Sequence, residues 1–133
     1  ITVLGWQCDE LPAFYSRSSG LAIDERVETA GEVASVIFAR DELGLKNSIL
    51  LTVPIPTEFE IDRSELESIL ADALKLADER GVIGKEITPF LLAQMSERFG
   101  GRTLAANIAL LENNARVAAS VAAAIISNNG NQG

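Results

Sequence analysis

The spacing of apolar positions changes along this chain, and each change predicts a different element. Ile1-Thr2-Val3-Leu4-Gly5-Trp6 is an apolar, β-branched run that predicts a strand. The pattern is lost over residues 9–20, where Pro12, two aromatics and the polar run Ser16-Arg17-Ser18-Ser19-Gly20 predict a loop. Thr29-Ala30-Gly31-Glu32 has the spacing of a capping box. It opens a helix to about Gly44 with Val33, Val36 and Ile37 facing inward. Ser48–Val53 is continuously apolar, which predicts a strand covered on both faces, and Pro54-Ile55-Pro56 stops it. After Asp62 or Ser64 as cap, Leu66, Ile69, Leu70, Ala73, Leu74 and Ala77 recur at helical spacing as far as Gly81. Thr88-Pro89 predicts an N-cap followed by proline at the first helical position, with the helix reaching Phe99. Past Gly100-Gly101, Thr103 is the expected cap of a long last helix to about Ser127.

Strands separated by capped helices and followed by three consecutive helices define an α/β fold class. Two strands are too few for a self-sufficient sheet. The chain opens at Ile1 on what reads as a strand already in progress. The expectation is therefore the C-terminal part of a larger mixed α/β domain. Residues 1–126 form that part, and residues 127–133 form a polar tail or linker.

The last helix carries the sharpest signal. At roughly 100° per residue, Glu112, Asn113, Arg116 and Ser120 share one arc, which reads as the solvated face. Asn107 and Asn114, seven residues apart, fall nearly opposite, among Leu104, Leu110, Leu111, Val117, Ala118, Val121 and Ile125. A buried carboxamide without partners costs about 1–3 kcal/mol, so each must be satisfied by something. Either it bonds a backbone loop and fixes helix register, or it faces a ligand. A carboxamide offers an acceptor beside a donor, which matches the edge of a uracil ring. The wheel alone leaves both readings open.

Composition narrows the chemistry. The net charge of −8 over 133 residues disfavours a phosphate-backbone clamp, so no nucleic-acid partner is expected. A small phosphorylated ligand remains compatible, held by a local arginine such as Arg17 among its serines. There is no histidine, and Cys8 is the one cysteine, which fits a reducing compartment without disulfides. Cys8 has no basic neighbour in sequence to activate it. The most apolar stretch, Val117–Ile126, is half a bilayer span, so no membrane partner is expected. Glu10, Glu58, Glu60 and Asp62 read as solvated acidic loops before they read as a metal site.

Four segments in register resemble one family. They are Asp9-Glu10-Leu11-Pro12-Ala13-Phe14-Tyr15-Ser16-Arg17-Ser18-Ser19, Pro54-Ile55-Pro56, residues 81–92 (GVIGKEITPFLL), and Gly100-Gly101-Arg102-Thr103-Leu104-Ala105-Ala106-Asn107-Ile108-Ala109-Leu110 with Asn113-Asn114-Ala115. The pattern resembles the pseudouridine-5′-phosphate glycosidases, also called indigoidine synthase A-like proteins, from Ile1 to about Ala123. The resemblance implies reversible cleavage of the C–C glycosidic bond of pseudouridine 5′-phosphate to uracil and ribose 5-phosphate. It implies a lysine nucleophile forming an imine, a glutamate that handles protons, and manganese or another divalent metal. All three would lie in the upstream part, so neither a catalytic residue nor a metal ligand is expected in this chain. Lys46, Lys75 and Lys85 do not occupy the nucleophile position, and the chain alone is expected to be inactive. Among its own residues the resemblance places Asn107 alone, at the uracil; Arg17 and Asn114 are weaker substrate contacts read from the loop and the helix face themselves. It also implies a cytoplasmic homotrimer, and a hydrolase or lyase of nucleotide catabolism. Two alternatives stay open: a non-catalytic packing or interaction module, and the glycosidase part of a bifunctional protein fused to a ribokinase-like kinase.

Overall fold

A computed structural model of the chain describes residues 1–129. Residues 130–133, the end of the expected tail, lie outside the described residues. Three parallel strands, β1 (Thr2–Trp6), β2 (Glu25–Val27) and β3 (Ile49–Thr52), form a sheet in the order β2-β1-β3. Four α-helices follow the strands or close the chain: α1 (Ala30–Glu42), α2 (Arg63–Glu79), α3 (Ile87–Arg98) and α4 (Arg102–Asn129). The mixed α/β class and the three closing helices are those expected. The third strand, β2, was not. It is three residues long with Glu25 and Arg26 exposed, so it has no apolar alternation to betray it. Its register, Leu4 with Glu25 through Trp6 with Val27, is set by β1. β3 also differs from expectation: it is an edge strand, and Leu50 is 49% exposed rather than covered.

Local chemistry sets most boundaries. Thr29 and Glu32 close the capping box of α1 reciprocally, at 3.3 and 3.0 Å. Asp62 accepts from the Ser64 and Glu65 amides and caps α2. Gly44 and Gly81 follow the helices in the left-handed region (φ +66° each), where a side chain would be strained. Two expected caps are not caps. α3 begins at Ile87 out of a short 3₁₀ turn, so Thr88 and Pro89 are its second and third residues. Proline is tolerated there because first-turn amides have no helical partner. α4 begins at Arg102, and Thr103 is buried within its first turn. At the other end, α4 takes residues 127–129 from the expected tail.

Two cores result. Tyr15, Ile55, Ile61, Met95, Phe99 and Ala106 pack together, with Leu66, Ile69, Leu70 and Leu110 against them. Leu4, Val27 and Val33 pack under the sheet, with Trp6, Val36, Ile37, Ile49, Leu51 and Val121. α4 reaches both, through Ala106 and Leu110 near its start and Val121 near its end. At about 1.5 Å rise per residue it is long enough to tie the two together.

The faces of α4 differ from the wheel reading. Ala106, Leu110, Asn113, Val117 and Val121 turn inward, whereas Leu104 and Leu111 are 62% and 61% exposed. The apolar arc is wider than one contact face, and the chain covers only half of it. By length and composition, Arg102–Ser127 is apolar enough to cross a membrane, and 11% of its most apolar window is buried.

Candidate functional site

β1 and β3 deliver their C-terminal ends to the same side of the sheet, where ligands of open α/β sheets collect. A cavity of about 330 Å³ opens there. Its walls come from Trp6 and Gln7 after β1, Arg17 in the following loop, Pro56–Phe59 after β3, and Ala109, Glu112, Asn113 and Arg116 on α4. The turn that builds it is strained, because Gln7 sits at φ +53°. It is held by its own amide on Val27 O (2.8 Å) and its side-chain Nε2 on Glu28 O (3.1 Å). Gly5, just before it, is the residue the turn requires. A Cβ there would lie 2.1 Å from Ile23 Cδ1 and 2.4 Å from Cys8 O.

The loop carrying Arg17 is pinned from within. Glu60 Oε1 accepts from the Arg17 amide (2.8 Å) and from Ser16 Oγ (3.3 Å). Arg17 Nη1 donates to Ile55 O at 2.7 Å. Ser19 Oγ accepts from the Leu21 amide, and Glu10 accepts from the Gly20 amide. Ser16 and Ser19 are thus spent on loop geometry, while the half-buried guanidinium still lines the cavity. On the facing helix, Asn113 Nδ2 donates to Pro54 O (3.2 Å), and its Oδ1 accepts from Arg116 Nη1 (3.2 Å). Asn113 therefore bridges α4 to the end of β3, where the sequence reading had placed it in solvent. Among the described residues neither cavity arginine, Arg17 or Arg116, forms a salt bridge with Glu58 or Glu112. The cavity thus offers both signs of charge to polar groups.

Asn107 lies elsewhere. It is half-buried, about a third of a turn around α4 from Asn113, and it does not line this cavity. It stands at the seam between the packed face of α4 and the exposed apolar one, and its carboxamide makes no hydrogen bond among the described residues. Asn114, two turns on, occupies the same seam. Its Oδ1 is buried and accepts no hydrogen bond among the described residues. The three expected contacts are therefore not one cluster: Arg17 faces the cavity, and the two asparagines face the helix seam. Sequence reasoning missed Gln7, Glu112 and Arg116. The position of Trp6-Gln7 just past a strand end was the available signal for the first.

Cys8 is buried, and burial pushes its thiol above the usual range, against a Thr52 hydrogen bond and the nearby Arg17 and Arg26 that pull it down. Basic neighbours exist in space that the sequence did not reveal, and desolvation still outweighs them. Lys46, Lys75 and Lys85 are all exposed. Among the described residues no group of three or more His, Cys, Asp or Glu side chains gathers that could hold a metal ion. Glu10, Glu60 and Asp62 are each taken up by backbone amides.

A polar cavity beyond the ends of parallel strands is where open α/β folds bind small ligands. The family described as indigoidine synthase A like protein matches residues 1–124, and the chain belongs to it. It is 47% identical over 122 residues, 92% of its length, to a pseudouridine-5′-phosphate glycosidase of Caldanaerobacter subterraneus. It is 45% identical over 125 residues to the corresponding protein of Symbiobacterium thermophilum. It spans about two fifths of the length of these curated relatives (40% and 41%). Among solved structures, the prealnumycin C-glycosynthase AlnA in complex with ribulose 5-phosphate superposes with a TM-score of 0.88 at 27% identity, over 98% of this chain and 43% of that one. An indigoidine synthase A-like protein of Thermotoga maritima gives a TM-score of 0.76 at 38% identity, over 92% of this chain and 40% of that one.

Proposed function

We propose that this chain is the part of a pseudouridine-5′-phosphate glycosidase that closes the base-binding side of the site. The observation that carries the reading is the 47% identity, across 92% of the chain, to a protein of that name. The likeness to a C-glycosynthase that binds a pentulose phosphate supports the same bond type. The reaction consumes water. The C1′–C5 bond breaks, C5 of uracil takes a proton, and C1′ becomes the carbonyl carbon of ribose 5-phosphate. The lysine nucleophile and the proton-handling glutamate belong to the length this chain does not span. So does the manganese or other divalent ion, which the described residues here do not fit.

What this chain contributes is recognition. The Asn107 carboxamide presents a donor beside an acceptor, which can pair with the N–H and C=O on one edge of uracil. Its half-buried place, with no hydrogen bond taken up among the described residues, supports that role. Holding the base in one plane favours the geometry in which C5 meets its proton source. Arg17, kept in place by Ile55 O and Glu60, is the candidate for the sugar-phosphate side. Asn114 is the weaker contact, since its oxygen is already enclosed. A cytoplasmic homotrimer completes the proposal. The test is a chimera in which the preceding three fifths, approximately, of the Caldanaerobacter relative is joined to this chain. It should release uracil from pseudouridine 5′-phosphate with manganese present, and the chain alone should not. A folded chimera without uracil release would refute the reading.

A further inference from the structure

α4 has two apolar faces, and the chain packs only one of them. Leu104, Ile108, Leu111, Ala115, Ala122 and Ile126 recur at steps of three, four or seven residues, and all are exposed. At roughly 100° per residue they fall within an arc of about 60°, so they form one continuous stripe along the helix. Leu104 is 62%, Leu111 61% and Ile126 71% exposed, which no monomer needs on a single helix face. The stripe is not isolated. Ala122 also lines an apolar groove of about 380 Å³ between α1, the β3 edge and α4, with Ile37 and Leu51 among its walls. The helix seam bearing Asn107 and Asn114 runs along the same side of α4.

We infer that this stripe and groove form a docking surface for the remaining three fifths, approximately, of the family's length. Two observations choose that occupant. The chain covers 98% of itself but only 43% of the solved C-glycosynthase chain at a TM-score of 0.88, so its own fold is that of a piece which in the relative sits with a further 57%. The curated relatives leave a similar share unmatched, since the chain covers 40% and 41% of their length. A lipid surface is the poorer occupant. Arg102, Glu112 and Arg116 give α4 a charged flank, and the buried Asn114 oxygen and half-buried Asn107 fit a protein seam better than hydrocarbon. The inference rests on family membership and not on the reaction.

The experiment compares thiol labelling of the isolated chain with that of the chimera described above, both with Cys8→Ala. Single cysteines report from the stripe (Leu111→Cys and, separately, Ile108→Cys) and from Leu43, 73% exposed and on none of these residues' helix. In the isolated chain all three should label at the rate of a free thiol. In the chimera the two stripe positions should slow at least tenfold, and Leu43→Cys should stay within twofold. Equal rates at the stripe in both proteins would overturn the proposal. So would stripe protection in the isolated chain that grows with its concentration, which would make a second copy the occupant. Co-sedimentation of the isolated chain with anionic phospholipid vesicles, with the stripe protected, would overturn it in favour of lipid. A protected stripe in a chimera that releases no uracil supports the docking surface while sinking the proposed reaction.

Discussion

Gly5→Ala should be among the most damaging single substitutions in the chain, although it adds one methyl group. The added Cβ would stand 2.1 Å from Ile23 Cδ1 and 2.4 Å from Cys8 O, with Cys8 Sγ at 3.0 Å. The Ile23 contact is to the end of a side chain, which can move to another rotamer. The Cys8 carbonyl belongs to a backbone turn fixed by the Gln7 amide on Val27 O and by Gln7 at φ +53°, and it cannot move alone. Overpacking of a core by a methylene costs about 1–3 kcal/mol, and the backbone contact puts this site at about 3 kcal/mol or above. Urea unfolding followed by circular dichroism measures it. Ile23→Ala in the same chain separates the two contacts. It removes the 2.1 Å clash and leaves the 2.4 Å one, so the double variant should recover less than half of the loss. Gly5→Ala within about 0.5 kcal/mol of the parent, or full recovery by Ile23→Ala, would refute the claim that the turn beneath the cavity is rigid.

Four further outcomes follow from the same geometry. Asn114→Leu should stabilise the isolated chain by about 1 kcal/mol, because it replaces a buried acceptor without a donor, and Asn114→Asp should lower its Tm; thermal melts decide both. Thr29→Ala should cost about 1 kcal/mol in urea unfolding by opening the α1 capping box. Burial raises the Cys8 pKa, so stability that is complete below the unfolded thiol's pKa of about 8.5 should fall as pH rises towards the folded value. Cys8→Ala should remove that alkaline slope. Asp62 is held below the usual carboxylate range by Ser64 and the Ser64 and Glu65 amides. Its cap should therefore persist above about pH 3.9 and be lost on acidification, and Asp62→Asn should flatten that limb of the pH–stability curve.

What the sequence made legible is what short range determines. Thr29 with Glu32, Asp62 with Ser64, and the glycines at 44 and 81 act on residues within one turn, so each appears in the structure as expected. Thr88 and Thr103 looked equally good as caps, yet neighbouring turns began those helices earlier. β2 owes its existence to its partner strand: Glu25 and Arg26 carry no strand pattern of their own. The last helix was misread for a different reason. A wheel shows which residues are apolar, but it cannot show which apolar arc this chain covers and which it leaves to a neighbour. Asn113, polar by type, is drawn inward because Pro54 O needs a donor there, and Leu104 and Leu111 are left outside. The cavity pairing of Gln7 and Arg17 with Glu112 and Arg116 joins segments about a hundred residues apart, and no local pattern encodes it.

Asn107 is the residue through which this chain would read the base. In the chimera, uracil release by Asn107→Asp should fall on the order of a hundredfold, about 3 kcal/mol of transition-state stabilisation, because the NH₂ donor is lost and a charge enters an enclosed site. Its Tm should stay near that of the parent chimera. An Asn107→Asp chimera that melts early but keeps its activity per folded molecule would make the carboxamide a structural strut and contradict the assignment.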